Sequence, residues 1–136
     1  MKKASNILYI LGNLLVTIEM IIFVSFAIYY AAKTRVAEIP SNTLLSRSYS
    51  SLDEYKDAAK ILSFSYSIAF ALLLIIFLMS LGVQVSVRRN PGYYGIHAIL
   101  IIIGIISLNP LFIVGGILGV KWTAEFNKDN INLEMN

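Results

Sequence analysis

The chain has no cysteine, one histidine and three prolines in 136 residues. Without cysteine there is no disulfide scaffold, no thiolate metal site and no cysteine nucleophile. One histidine cannot build a histidine-based metal site. Charge is scarce as well: 14% of residues are charged, where a soluble domain carries about 25%. No basic run exceeds two residues, so the net charge of +3 does not read as a nucleic-acid footprint. Neither paired carboxylates nor a serine with a base in register is evident, so no catalytic residue is assigned and the chain reads as a non-enzyme requiring no cofactor.

Apolar length takes the place of these features. Hydrophobic residues make up 57% of the chain and gather in three runs, Ile7–Ala32, Ile61–Val87 and Ile96–Val120. Of the 19 charged residues, 18 lie outside these runs, and Glu19 alone lies inside one. A core of this size needs no runs of 25 to 27 residues. A bilayer does, since about 20 helical residues cross its hydrocarbon. The expectation is an all-α integral membrane protein forming a single membrane domain, with the lipid bilayer as its first partner. Lys2–Lys3 before the first run imitates a signal peptide, but that run has 26 residues with Glu19 at its centre, against 7–15 in a signal h-region. It reads as a retained first span.

Span 1 ends in Tyr29–Tyr30 followed by Lys33 and Arg35, an aromatic and basic interface. A polar loop over 33–60 follows, with a turn signal at Ile39-Pro40-Ser41-Asn42. Ser51 and Glu54 have capping-box spacing, so the helix of span 2 is expected to start there, well before the membrane. Span 2 ends at Arg88–Arg89, and Asn90–Pro91 marks a tight turn. The last apolar stretch allows two readings. It is one span kinked at Pro110, or a hairpin in which Asn109 caps a new helix with Pro110 at its first position. The hairpin is favoured, because Asn-Pro also occurs at the 90–91 turn. Four spans are then expected, at about 7–32, 61–87, 91–108 and 110–126. The polar stretch 123–136 reads as a frayed tail or a docking segment. With four spans, six Lys/Arg share the side of both termini against five in the long loop. The positive-inside rule therefore places both termini in the cytoplasm of a multi-pass cell-membrane protein.

Glu19 is the sharpest signal, because a charged side chain at mid-bilayer costs about 3 kcal/mol on insertion scales and so faces protein or serves function. It reads either as a proton or cation site or as a hydrogen-bonded group that locks span 1 to a neighbour or partner. By counting rises, Tyr66 and Ser67 come near it in depth, and Asn13 and Thr17 extend a polar stripe. His97, at the membrane edge, reads as an interfacial hydrogen-bonder. Ser63, Ser67 and Ala71 form a ridge of small residues, and Gly115 and Gly119 form a GxxxG pair; both suit close helix packing.

Gly95-Ile96, Ile103-Gly104-Ile105-Ile106 and Asn109-Pro110-Leu111-Phe112-Ile113-Val114-Gly115-Gly116-Ile117-Leu118 form a Gly- and Ile-rich C-terminal pattern. With a short basic N-terminus and a larger loop after the first span, it resembles small four-span membrane proteins of unknown function from Gram-positive-type bacteria. The resemblance implies four spans and no activity; Glu19 is not part of it. The expected role is that of an accessory or interaction subunit, of immunity type or otherwise, for a membrane-protein partner. The alternative is a small channel or transporter, formed as a homo-oligomer, that uses Glu19 for a proton or cation.

Overall fold

The computed structural model describes residues 2–41 and 49–134. Asn42 of the Pro40 turn, the middle of the long loop and the last two residues lie outside them. The described residues form four helices: α1 (Lys2–Lys33), α2 (Leu52–Arg89), α3 (Tyr94–Ile106) and α4 (Pro110–Glu134). The all-helical expectation is met. α1 and α2, with 32 and 38 residues, are long and apolar enough to cross a membrane. Only 22% of the apolar stretch of α1 and 6% of that of α2 are buried. A core helix of a water-soluble protein would be mostly covered, so this exposure suits a lipid environment. α3 has 13 residues, about 20 Å at 1.5 Å per residue, less than the bilayer hydrocarbon.

The chain divides into two units, one of residues 18–73 and one of residues 1–17 with 74–136. In the 18–73 unit, α2 starts where its cap directs. The Ser51 hydroxyl accepts the Glu54 N–H at 3.2 Å, while the Glu54 carboxylate reaches back to Ser50, accepting from its hydroxyl at 3.0 Å. This is the capping box with its return arm shifted by one residue. The Ser63 hydroxyl donates to the Ala27 carbonyl at 2.9 Å. Tyr66 lies parallel to Tyr30, ring centroids 5.7 Å apart, and stacks on Phe26 at 5.3 Å. Lys33 lies over the Tyr29 ring at 4.9 Å, so the basic and aromatic end of α1 is one packed group.

In the other unit, α3 and α4 form an antiparallel hairpin rather than one kinked helix. Ser107, Leu108 and Asn109 make the turn, with Leu108 in the left-handed region at φ 53°. The Asn109 side chain accepts the Leu111 N–H at 3.1 Å, and Pro110, lacking an N–H, takes the first helical position. At the base of the hairpin, Thr123 and Asn127 donate to the carbonyls of Pro91 and Gly92. α4 continues through the polar stretch as far as Glu134.

Candidate functional site

The polar side chains of the N-terminal half of α1 repeat every fourth residue: Ser5, Tyr9 and Asn13. One turn and a tenth separates each from the next, so they share a face. All three are buried, and each bonds to a different helix. The Ser5 hydroxyl donates to the Gly115 carbonyl of α4 at 2.8 Å. The Tyr9 hydroxyl meets His97 Nδ1 of α3 at 2.7 Å. Asn13 Oδ1 accepts from the Ser80 hydroxyl of α2. The backbone joins in, since Gly12 accepts from the Asn109 amide at 3.1 Å and Tyr9 accepts from Gln84 at 3.5 Å. Interhelical hydrogen bonds of this kind contribute about 0.6 kcal/mol each in a membrane.

His97 is the centre of this network. It is buried and stands edge-on to Trp122 with ring centroids 6.5 Å apart. Trp122 carries Lys2 over its ring at 4.9 Å. With Tyr9 donating, Nδ1 accepts and Nε2 holds the ring proton. Gly119 faces the imidazole so closely that a Cβ there would fall inside the ring's contact radius, and a Cβ on Gly115 would come within 2.9 Å of the Tyr9 ring. The GxxxG pair thus seats the Tyr9–His97 pair. The cavity beside it, lined by Asn6, Tyr9, Ile10, Gln84 and Arg88, has about 20 Å³, which admits one water and no organic substrate.

The remaining sequence candidates divide sharply. Thr17 turns its hydroxyl back to the Asn13 carbonyl at 2.8 Å. Tyr66 spends its ring on Phe23, Phe26 and Tyr30. Ser67 is exposed and bonds back to the Ser63 carbonyl at 2.8 Å. Ala71 is also exposed, so of the expected ridge of small residues only Ser63 meets α1. Arg88 and Arg89 end α2, and Pro91 lies in the turn whose carbonyl anchors Thr123.

Glu19 stands apart from these bonded groups. It is half-buried, and among the described residues it forms no hydrogen bond or ion pair. The register explains why Tyr66 and Ser67 do not reach it. Tyr66 stacks on Phe26, seven residues or about two turns beyond Glu19 on α1, and the Ser67 hydroxyl is turned back to its own helix. On α1 itself, Ile21, Ile22, Ser25, Phe26 and Tyr29 line an open apolar groove of about 440 Å³.

Sequence reasoning missed Ser5, Tyr9, Ser80 and Gln84. The spacing of four from Ser5 to Asn13 was the available signal, but a tyrosine flanked by Leu8 and Ile10 reads as apolar.

Among the described residues, these features define an all-helical protein with two helices fit to cross a membrane and a carboxylate, Glu19, that has no partner in its apolar segment. Comparison with known protein families, curated proteins and solved structures gives no match.

Proposed function

We propose that the chain is a multi-pass protein of the cell membrane that acts without catalysis, as an accessory subunit bound to a larger membrane protein. An immunity-type protein that shields a membrane target is one form of this role. α1 and α2 cross the bilayer, both termini lie on the cytoplasmic side and the long loop lies outside. The Lys/Arg distribution supports this orientation by six to five. The resemblance to small bacterial membrane proteins fits the same layout.

Glu19 carries the reading. A charged side chain at the centre of a membrane helix costs about 3 kcal/mol on insertion scales. Among the described residues no internal partner offsets that cost. A partner helix with an arginine, lysine or hydrogen-bond donor at the same depth would offset it. The groove at Ile21, Ile22, Ser25, Phe26 and Tyr29 gives that helix an apolar seat within three turns of the carboxylate. The competing class is a homo-oligomeric channel or transporter with Glu19 as its proton or cation site. The accessory reading is favoured because Tyr9, Asn13, Ser80 and His97 are bonded to one another rather than turned to a water-filled path.

Isolation of the full chain in native lipid, as wild type and as Glu19→Gln, tests the reading. The wild type is expected to co-isolate with one larger membrane protein, and Glu19→Gln to keep its Trp122 emission while losing about tenfold of that partner, the equivalent of 1.4 kcal/mol. A wild-type homo-oligomer with a pH-dependent flux abolished by Glu19→Gln would overturn it in favour of transport.

A further inference from the structure

The α3–α4 hairpin bonds to the first half of α1 at three levels. At its base, Trp122 lies beneath Lys2. Midway, His97 bonds to Tyr9. At its tip, the Asn109 amide bonds to the Gly12 carbonyl and the Phe112 ring covers Gly12. Gly12 is five residues into the apolar run that begins at Ile7, about 8 Å along the helix axis. The hydrocarbon is about 30 Å thick. A hairpin that crossed it would carry its turn about 22 Å deeper than the level of Gly12.

The turn has the chemistry of a segment that does not reach water. Its outermost side chain is Leu108, 88% exposed, next to Ile106 at 72% and Ile105 at 58%. The N–H groups of Ser107, Leu108 and Asn109 bond to carbonyls of α3, and that of Leu111 bonds to the Asn109 side chain. The Ser107 hydroxyl is turned back to the Ile103 carbonyl at 2.7 Å. In hydrocarbon such internal satisfaction is required, because each unmet backbone group costs several kcal/mol. At the opposite end of α4 the charged residues Lys121, Glu125, Lys128, Asp129 and Glu134 are exposed, alongside Ile131 and Leu133.

We infer that α3–α4 is a re-entrant hairpin. It enters the bilayer from the side of the N-terminus, turns at residues 107–109 among the acyl chains of that leaflet, and leaves on the side it entered. Ile105, Ile106 and Leu108 are its lipid-facing surface. The inference goes beyond the accessory role and rests only on α1 crossing the bilayer. It replaces the expected third and fourth spans with one half-depth element, and it keeps the two termini on one side.

The cysteine-free chain makes the test direct. Single cysteines at Ser50, Leu108 and Asn130 are probed with an impermeant maleimide in intact cells, in inverted vesicles and after detergent solubilisation. Ser50 and Asn130 are expected to label from opposite sides, and Leu108 from neither until detergent is added. Ile106→Cys is expected to behave as Leu108→Cys, so a folding defect in one variant leaves the other to decide. As a second measurement, a bimane attached at position 108 is expected to be quenched by lipids brominated along their acyl chains. Labelling of position 108 together with Ser50 overturns the inference in favour of a crossing hairpin. Labelling together with Asn130, with no quenching, overturns it in favour of a hairpin lying on the surface. Both results are independent of co-isolation, so failure here is distinguishable from failure of the Glu19 reading.

Discussion

Gly119→Ala is expected to unseat the Tyr9–His97 pair, and Gly82→Ala, the same change in the neighbouring helix α2, is expected to do the opposite. At Gly119 the added methyl falls against the imidazole of a histidine that is 2% exposed and held by Tyr9 on one side and Trp122 on the other. The imidazole is flanked on both sides, so making room for the methyl turns it and strains its 2.7 Å bond to Tyr9. Overpacking of a tight site costs about 1–3 kcal/mol, and the lost interhelical bond adds about 0.6 kcal/mol. Replacing a mid-helix glycine by alanine returns about 1 kcal/mol. The net loss is about 1–3 kcal/mol. At Gly82 a Cβ meets nothing within 4 Å, so only the helix gain of about 1 kcal/mol remains. Trp122 touches the perturbed ring, and its emission followed through thermal unfolding in one detergent reads both variants against the wild type. A Gly119→Ala protein as stable as the wild type, or a Gly82→Ala protein destabilised to the same degree, would refute the packing argument.

Two further substitutions probe the same unit. Asn109→Ala removes both the cap on Leu111 and the donor to Gly12, and is expected to lower stability by about 1–2 kcal/mol, whereas Asn109→Asp keeps the cap acceptor and should lose less in the same unfolding assay. Tyr9→Phe leaves His97 Nδ1 buried without its partner, at a cost of about 1–3 kcal/mol. A double-mutant cycle with His97→Phe is expected to give a coupling above about 0.5 kcal/mol, and a coupling of zero would show that the pair acts only as volume.

The sequence made the helical class and the hairpin legible for physical reasons that can be named. Apolar run length separates α1 and α2 from a soluble core, and the Ser51–Glu54 spacing placed the start of α2 where its cap forms. Asn109–Pro110 identified the turn because proline cannot continue α3 and asparagine can cap α4. The depth of that turn was not legible. Ile, Leu and Gly look alike in a bilayer-crossing segment and in a half-depth one, and only the bond from Asn109 to Gly12 fixes the level. Glu19 was legible as a residue, since one carboxylate in 26 apolar positions has no camouflage. Its surroundings were not, because counting rises from each membrane face misjudged the α1–α2 register by about two turns and assigned it Tyr66 as a neighbour. His97 was legible as a hydrogen-bonder, but its partner Tyr9 lies 88 residues away and no local spacing points to it.

The stripe on α1 has a consequence for the order in which the protein is made. Ser5, Tyr9 and Asn13 leave the ribosome first, but their acceptors and donors follow 110, 88 and 67 residues later. At about 5–20 residues per second, the Gly115 carbonyl arrives roughly 5–20 s after Ser5. Until then these three side chains lack their interhelical partners, and α2 supplies the Ser80 and Gln84 contacts before the hairpin arrives. Within this chain α1 is therefore made before the helices that complete it. A chain truncated before the hairpin would leave Tyr9 and Ser5 open, exposing a polar face that membrane quality control could recognise as unfinished.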